Sequence, residues 1–170
     1  IASLLRNEDV IGIMPTGAGK SICFQIPALC KAGLTIVFSP LISLMKDQVD
    51  GLLVQNIPAA LINSTLTQSE FNKTMYEVRS GKIKLLYIAP ERLSSNFFCN
   101  VLRALPIAQV IVDEAHCISE WGHDFRPSYR LIGEWLNSLP KRPIVGAFTA
   151  TATKYVENDI KKLLGLDKAN

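Results

Sequence analysis

The sequence contains no apolar run long enough to cross a membrane. The longest uncharged and strongly apolar stretch is residues 32–45, and Pro40 interrupts it, whereas a membrane-spanning helix needs about 20 apolar residues. The first residues also lack the basic and long apolar segments of a secretory signal. These absences argue against membrane-embedded and secreted classes and predict an intracellular protein with no membrane partner.

The chain lacks an initiator methionine as well, so we expect it to begin inside a larger polypeptide. Its four cysteines form no C-x-x-C pair and have no histidine at zinc-ligand spacing. They are Cys23, Cys30, Cys99 and Cys117. This arrangement argues against a disulfide framework and a structural zinc site, and it predicts reduced, buried thiols in a reducing compartment.

Neither sign of charge dominates, since 18 Lys and Arg residues stand against 15 Asp and Glu residues, for a net charge of +3. This surplus is too small to indicate nucleic-acid binding by itself, so the net charge does not identify the class of binding partner. A hydrophobic fraction of 48% with 19% charged residues excludes a disordered chain. With 170 residues and no visible repeat or linker, we expect a single domain over residues 1–170.

Apolar β-branched runs alternate with longer segments of helical character. The strand candidates are residues 9–13, 34–38, 59–62, 84–89, 109–112 and 144–148. The helix candidates are residues 19–31, 42–54, 68–79, 96–103, 128–137 and 154–164. Thr67 can cap the third of these helices. Strands that are apolar on both faces and alternate with helices predict an α/β fold, with a mostly parallel central sheet and helices on both faces.

A glycine-rich turn follows the first predicted strand and opens a helix. It fits the P-loop pattern G-x-x-x-x-G-K-[ST] except at its first position, where Met14 replaces glycine. Gly17 and Gly19 let the backbone amides surround a phosphate, and the helix N-terminus adds positive potential. Lys20 is expected to reach the β- and γ-phosphates, and the Ser21 hydroxyl to bind Mg²⁺. The expected nucleotide-binding residues are Met14, Pro15, Thr16, Gly17, Ala18, Gly19, Lys20 and Ser21. The alternative is a strand-to-helix turn with a solvated lysine.

Two adjacent carboxylates, Asp113 and Glu114, follow the apolar strand at residues 109–112. Such a pair at a strand end is costly unless a cation or hydrogen bonds satisfy it. If this strand lies near the P-loop, Asp113 can hold Mg²⁺, and Glu114 can orient and deprotonate the attacking water. The alternative is a polar helix cap. Together the two motifs predict a Mg²⁺-dependent nucleoside triphosphatase.

Several segments resemble motifs of the second helicase superfamily. DEAH at 113–116, MPTGAGKS at 14–21 and FTATAT at 148–153 look like its motifs II, I and III. Residues 117–129, CISEWGHDFRPSY, here called the aromatic segment, closely resemble the aromatic-rich loop of RecQ DNA helicases. Two further RecQ signatures are matched at residues 38–49 and 87–93. The resemblance covers essentially the whole chain, and the aromatic segment is its most specific part.

This resemblance implies the first of two RecA-like motor lobes, a three-layer P-loop NTPase domain. Ala18 departs from the family pattern, which usually has a third glycine there, and this implies a stiffer loop. The adenine-reading glutamine, the second lobe with its arginine finger, and the zinc-binding and winged-helix region are expected to lie outside these residues. The chain alone is therefore expected to bind ATP weakly and to hydrolyse very little of it.

The resemblance also assigns roles to individual residues. The implied catalytic residues are Lys20, Asp113, Glu114 and His116. Ser21 and Asp113 are implied to hold Mg²⁺, and His116 to link the nucleotide site to a DNA-facing motif. The implied DNA-binding residues are Ser39, Pro40, Lys46, Gln48, Trp121, His123, Phe125, Arg126, Thr149, Ala150 and Thr151. The alternative for residues 149–153 is an ordinary turn at a strand end.

The aromatic segment has a second rationale that does not depend on the family. Trp121 and Phe125 offer stacking faces beside the cation of Arg126, and stacking on an aromatic side chain contributes about 1–3 kcal/mol per base. The alternative is that both aromatics belong to the core. For Lys46 and Gln48 the alternative is a solvated helix face.

The implied function is that of an ATP-dependent DNA helicase, which couples ATP hydrolysis to 3′–5′ translocation and unwinding in DNA repair and recombination. The implied cofactors are ATP and Mg²⁺, and the implied partners are single-stranded and forked DNA and the second lobe. The location would be the cytoplasm, at a bacterial nucleoid, or the nucleus.

A motor that acts on RNA, or that translocates without unwinding, is one rival to this function. A nucleotide-binding module is another, although Glu114 argues against it. A metabolic P-loop kinase gives no account of the aromatic segment.

Overall fold

The computed structural model describes residues 1–169 of the chain. The strands are β1 (Val10–Ile13), β2 (Leu34–Phe38), β3 (Ala59–Ile62), β4 (Leu85–Ile88), β5 (Ile107–Val112) and β6 (Ile144–Thr149). The helices are α1 (Ala2–Leu5), α2 (Lys20–Cys30), α3 (Ile42–Val54), α4 (Gln68–Arg79), α5 (Asn96–Arg103), α6 (Arg130–Asn137) and α7 (Lys154–Leu164). Short 3₁₀ turns lie at Pro90–Ser94, Ala115–Ile118 and Pro127–Tyr129.

The strands described for residues 1–169 form one parallel sheet in the order β1-β6-β5-β2-β4-β3. Val10 lies opposite Gly146 in the β1–β6 pair, and Phe38 lies opposite Val112 in the β2–β5 pair. Every residue of β2 and of β4 is buried. Strands of this kind are apolar on both faces because helices cover both sides of a parallel sheet.

Two helix layers enclose the sheet because successive side chains of a strand point to opposite faces. Val37 of β2 packs in one core with Phe24 of α2 and Met45 of α3, and α1 belongs to the same layer. Its neighbour Phe38 packs in the other core against Trp135 of α6, with ring centroids 5.7 Å apart. Helices α4, α5 and α7 also pack in that second core. This helix–sheet–helix arrangement confirms the predicted three-layer α/β class.

All strands and helices predicted from the periodicity are present, with boundaries that shift by at most two residues. Thr67 caps α4 as expected, since its Oγ1 accepts from the Glu70 amide at 3.3 Å. The Glu70 carboxylate in turn accepts from the Thr67 amide at 2.8 Å. Helix α1 and the 3₁₀ turns have no counterpart in the prediction, because segments this short do not repeat a helical period.

The expectation of buried thiols is correct for Cys99 and Cys117 only. Cys23 is half-buried, and Cys30 is exposed because it ends α2 on the side that faces solvent. Among residues 1–169 we find no helix with the length and apolar character that a membrane crossing requires.

The order of the strands brings three separate loops to one place. β1, β6 and β5 are neighbours in the sheet although they lie far apart in the sequence. Because the strands are parallel, their carboxyl ends lie at the same edge. The glycine-rich turn, residues 149–153 and the acidic pair therefore meet at that edge.

Candidate nucleotide and nucleic-acid site

The glycine-rich turn lies between β1 and α2. Gly17 and Gly19 have φ angles of 82° and 81°, in the left-handed region that glycine adopts without strain. No side chain caps the first turn of α2, so its amides remain available to an anionic ligand. The Lys20 ammonium donates to the Met14 carbonyl oxygen at 3.4 Å and so lies over the turn.

Asp113 follows β5 and is only 4% exposed. Its carboxylate accepts from the Glu114 amide at 3.0 Å, and the half-buried Gln48 side chain of α3 makes a small contribution that lowers its pKa. Burial, followed by the neighbouring Glu114 charge, raises the pKa of Asp113 to about 6. A carboxyl group in such an environment is stabilised in its charged form when a cation binds beside it.

The Glu114 carboxylate lies between two cationic or potentially cationic groups. Its Oε1 is 3.9 Å from Lys20 Nζ, and its Oε2 is 3.3 Å from His116 Nδ1. The hydrogen bond with His116, with a smaller contribution from the Lys20 charge, lowers the pKa of Glu114. Its backbone has φ 48°, a left-handed conformation that is uncommon outside glycine and is concentrated at functional sites. The adjacent carboxyls thus have pKa values shifted in opposite directions.

His116 connects the acidic pair to the end of β6. Its Nδ1 lies 2.8 Å from Thr149 Oγ1, and the Thr149 hydroxyl donates to the Thr151 carbonyl oxygen at 3.1 Å. Since the hydroxyl proton is used in that bond, His116 Nδ1–H is the donor, and it is shared between Thr149 Oγ1 and the more distant Glu114 Oε2. Both side chains are buried. A line of polar contacts therefore extends from Lys20 through Glu114 and His116 to residues 149–151.

The aromatic segment begins at the same edge of the sheet. The His123 ring stacks on the His116 ring, with centroids 4.3 Å apart. Trp121 is 76% exposed, and with Ala150 and Thr151 it lines an open cavity of about 500 Å³. The exposure of Trp121 excludes the core alternative for this residue. An exposed indole beside an open cavity can stack on a flat ligand such as a base.

Phe125 and Arg126 make contacts within the chain. The Arg130 guanidinium lies 5.1 Å from the centroid of the half-buried Phe125 ring. Arg126 donates from Nη1 to the Pro40 carbonyl oxygen at 3.0 Å and from Nε and Nη2 to Asp124 at 3.1 Å. Arg126 therefore joins the aromatic segment to the loop that follows β2.

The other residues that the resemblance implied for DNA binding differ in their exposure. Ser39 and Pro40 are buried where the chain leaves the central strand β2. Gln48 is half-buried on α3 and contributes to the pKa of Asp113. Lys46 is exposed on α3. Thr149 is buried and directs its hydroxyl toward His116.

Asp113 and Ser21 offer the donors that a metal ion needs near the glycine-rich turn. A carboxylate and a hydroxyl are hard oxygen ligands, which Mg²⁺ prefers over nitrogen or sulfur. The raised pKa of the buried Asp113 carboxyl is consistent with a site that is completed by a cation. The residues present therefore fit Mg²⁺.

His116, Cys117 and Asp124 form a second group of possible metal ligands, whose nearest donor atoms lie within 4.8 Å of one another. Arg126 already pairs with the Asp124 carboxylate at 3.1 Å. Burial raises the pKa of the Cys117 thiol to about 12, so the thiol stays protonated. We interpret this group as a hydrogen-bonded cluster that holds the aromatic segment.

Tyr129 contributes to the site but was not predicted individually from the sequence. Its buried hydroxyl donates to the Asp113 carbonyl oxygen at 2.9 Å. The only signal was its place as the last residue of the aromatic segment. Because of this bond, the end of the aromatic segment is tied to the main chain of the acidic pair.

Comparison with known proteins agrees with this geometry. A family model described as DEAD/DEAH box helicase matches residues 1–159. The ATP-dependent DNA helicase RecQ of Bacillus subtilis (strain 168) is 54% identical over 164 residues, which cover 96% of this chain and 28% of that protein. The ATP-dependent DNA helicase RecQ of Pasteurella multocida (strain Pm70) is 48% identical over 166 residues, or 98% of this chain and 26% of that protein.

The chain thus spans about a quarter of the length of these two relatives. Among solved structures, it is similar to a hypothetical ATP-dependent RNA helicase from Sulfolobus tokodaii, with a TM-score of 0.74 and 20% identity. That match covers 100% of this chain and 49% of the other, and it confirms the RecA-like fold. The family model covers nearly the whole chain, and the RecQ relatives share about half of its residues. The chain therefore belongs to the DEAD/DEAH box helicase family and is similar to RecQ helicases.

Proposed function

We propose that this chain, as a single domain over residues 1–170, is the first RecA-like motor lobe of a RecQ-type ATP-dependent DNA helicase. The observation that carries this proposal is the line of polar contacts from Lys20 through Glu114 and His116 to Thr149. It connects a phosphate-binding turn to a cavity beside an exposed tryptophan. Nucleotide binding at one end can therefore influence nucleic-acid contact at the other.

In the proposed nucleotide site, the backbone amides of residues 14–21 surround the phosphates of ATP. Lys20 exchanges its contact with the Met14 carbonyl oxygen for contacts with the β- and γ-phosphates. Ser21 and Asp113 would hold Mg²⁺, which when bound supplies positive charge that offsets the charge of the phosphate oxygens.

Glu114 is the proposed general base for hydrolysis. Its lowered pKa keeps the carboxylate ionised at neutral pH. It can therefore accept a proton from the water that attacks the γ-phosphorus, while the bond to the β–γ bridging oxygen breaks. His116 contacts the Oε2 atom at 3.3 Å and fixes the orientation of the carboxylate. A module that only bound nucleotide would have no use for this arrangement, which favours hydrolysis over that rival.

In the proposed nucleic-acid site, Trp121 stacks on an unpaired base, while His123, Ala150 and Thr151 line the adjoining cavity. Phe125 and Arg126 keep the aromatic segment in place through their contacts within the chain, and Lys46 is exposed and free to approach a phosphate. The role of Lys46 requires no defined geometry, because an exposed lysine needs none to contact a phosphate.

We propose single-stranded and forked DNA as ligands, and 3′–5′ translocation with unwinding as the activity. The names of the relatives, ATP-dependent DNA helicases, support DNA as the ligand and unwinding as the activity, whereas forked DNA and the 3′–5′ direction rest on the resemblance of the motifs to the RecQ family. On the same resemblance we propose a role in DNA repair and recombination, at a bacterial nucleoid or in a nucleus. A second RecA-like lobe is the proposed partner that closes over ATP and supplies an arginine finger, a residue that accelerates related reactions by a factor of about 10³–10⁵.

A titration of this chain with Mg²⁺-ATP tests the nucleotide site. We expect the unaltered chain to bind and Lys20→Ala to abolish measurable binding, because the ammonium contacts the phosphates. Lys73→Ala is the matched control, since Lys73 is exposed on α4 in the other helix layer. Binding that survives in Lys20→Ala would contradict the proposed site.

Oligo(dT) and oligo(rU), added in parallel titrations, test the nucleic-acid site and the RNA rival. Trp121 is exposed and Trp135 is 3% exposed, so a change in tryptophan emission on binding reports mainly on Trp121. We expect oligo(dT) to quench this emission. Tighter binding of oligo(rU) would favour a motor that acts on RNA.

A further inference from the structure

The start of the aromatic segment is held by a residue on a different element. The Ser119 hydroxyl donates to Asp159 Oδ2 at 2.6 Å. Ser119 is fully buried, and Asp159 lies in the second turn of α7. A short hydrogen bond to a carboxylate is among the stronger kinds in proteins, and here it joins segments that are distant in the sequence.

The same serine organises the turn that carries Trp121. Its Oγ accepts from the Trp121 amide at 3.2 Å, and its carbonyl oxygen accepts from the Gly122 amide at 3.0 Å. The turn has no spare room, because a Cβ added at Gly122 would lie 2.5 Å from the His116 carbonyl oxygen. The position of the indole therefore depends on where Ser119 is held.

Helix α7 also fixes the other side of the cavity. It begins directly after residues 149–153, and Thr153 caps it by accepting from the Val156 amide at 3.4 Å. Val156 and Ile160 are buried in the core on the same helix. One rigid element thus supports residues 149–153 through its N-terminus and the aromatic segment through Asp159.

From this geometry we infer that Asp159 is a positioning residue for the nucleic-acid site. Through Ser119 it sets the position of Trp121 relative to Thr151, and both residues line the cavity. This inference rests on the proposed function, because it assigns Asp159 a role in holding single-stranded DNA. Asp159 itself touches neither DNA nor nucleotide in this account.

The test compares Asp159→Asn with Glu157→Gln in this chain. Both variants remove one negative charge from α7, but the Glu157 carboxylate pairs with Lys154 and Lys161 of the same helix. We expect Asp159→Asn to weaken oligo(dT) binding about tenfold, because a neutral amide oxygen accepts the Ser119 hydrogen bond less strongly than a carboxylate does. It should leave Mg²⁺-ATP affinity unchanged, and Glu157→Gln should change neither. Equal oligo(dT) affinity in the two variants would overturn the inference.

Ser119→Ala supplies a second variant in case Asp159→Asn folds poorly. If the two residues act through one bond, the double variant should bind oligo(dT) no more weakly than Ser119→Ala alone, which already removes both bonds of the Ser119 hydroxyl. Additive losses would show that Asp159 acts by another route.

Amide hydrogen exchange separates this inference from the proposed function. We expect the Trp121 and Gly122 amides to exchange faster in Asp159→Asn than in Glu157→Gln. If the unaltered chain failed to bind oligo(dT), the proposed function would fail, and the exchange rates would still show whether Asp159 holds the turn. Unchanged exchange rates would contradict the positioning role itself.

Discussion

The Asp113 carboxyl is buried, and its pKa of about 6 lies above the ordinary value of 3.8. The folded chain therefore holds this proton more tightly than the unfolded chain does. As the pH rises from about 4 to about 6, ionisation of Asp113 therefore lowers the free energy of unfolding. Above about pH 6 the free energy of unfolding falls no further through this group. Each unit of pKa difference corresponds to about 1.4 kcal/mol.

We expect Asp113→Asn to raise the free energy of unfolding by about 2–3 kcal/mol at neutral pH. Asparagine can still accept the hydrogen bond from the Glu114 amide, while the buried charge is gone. Urea unfolding at about pH 7.5 and at about pH 4 measures the difference, which should shrink at the lower pH. If Asp113→Asn raised the free energy of unfolding equally at both pH values, removal of the buried charge would not be the cause of the increase. The same variant should lose Mg²⁺-dependent ATP binding.

Individual residues could be predicted from the sequence where they form contiguous motifs. Gly17, Gly19 and Lys20 lie in one turn, and the backbone angles of the two glycines are those that a phosphate-binding turn requires. The positions of Gln48 and Ser39 could not be predicted in this way. Whether a side chain after β2 or on α3 faces Asp113, the core or solvent depends on the neighbours of β2 in the sheet, and no local pattern encodes that order.

At the scale of the elements, α6 and α7 pack with their backbones in close approach. A Cβ added at Gly133 of α6 would lie 2.0 Å from the Leu163 carbonyl oxygen of α7. The two helices can therefore be this close only because residue 133 has no side chain. This packing also matters for the site, since α7 carries Asp159.

We expect Gly133→Ala to lower the free energy of unfolding by about 1–3 kcal/mol, because the helices must separate. Gly51→Ala is the control, since Gly51 lies in α3 and an added Cβ there meets no atom within 4 Å. That change should raise stability by up to about 1 kcal/mol through helix propensity. Thermal unfolding of both variants gives the comparison, and a stabilised Gly133→Ala would contradict the packing described.

Elements were predictable because each is long enough to show its period. The β2 strand is buried on both faces, and residues 42–54 repeat apolar side chains at helical spacing. The 3₁₀ turns of the aromatic segment were not predictable, since their conformation depends on contacts such as the bond from Tyr129 to the Asp113 carbonyl oxygen. The order of the strands in the sheet likewise could not be predicted from the periodicity of the sequence.

At the scale of the whole molecule, the chain carries one side of the proposed ATP site. We expect it to hydrolyse ATP at least about 10³-fold more slowly than a polypeptide that adds the second lobe, because the arginine finger is then supplied. Single-turnover hydrolysis with excess enzyme measures both rates. Glu114→Gln should slow the longer polypeptide further while ATP affinity is retained. Rapid turnover by this chain alone would contradict the need for a second lobe.

The pairing of β1 with β6 has a consequence for how the protein is made. Val10 leaves the ribosome before its partner Gly146, which lies 136 residues later in the sequence (146 − 10). At about 5–20 residues per second, β1 waits roughly 7–27 seconds for the strand beside it. During that interval β1 has no neighbouring strand, so the glycine-rich turn that follows it is not held at the edge of the sheet. Nascent chains therefore become able to bind nucleotide only when synthesis of this region is nearly finished, and any chain truncated before β6 would leave β1 without its partner.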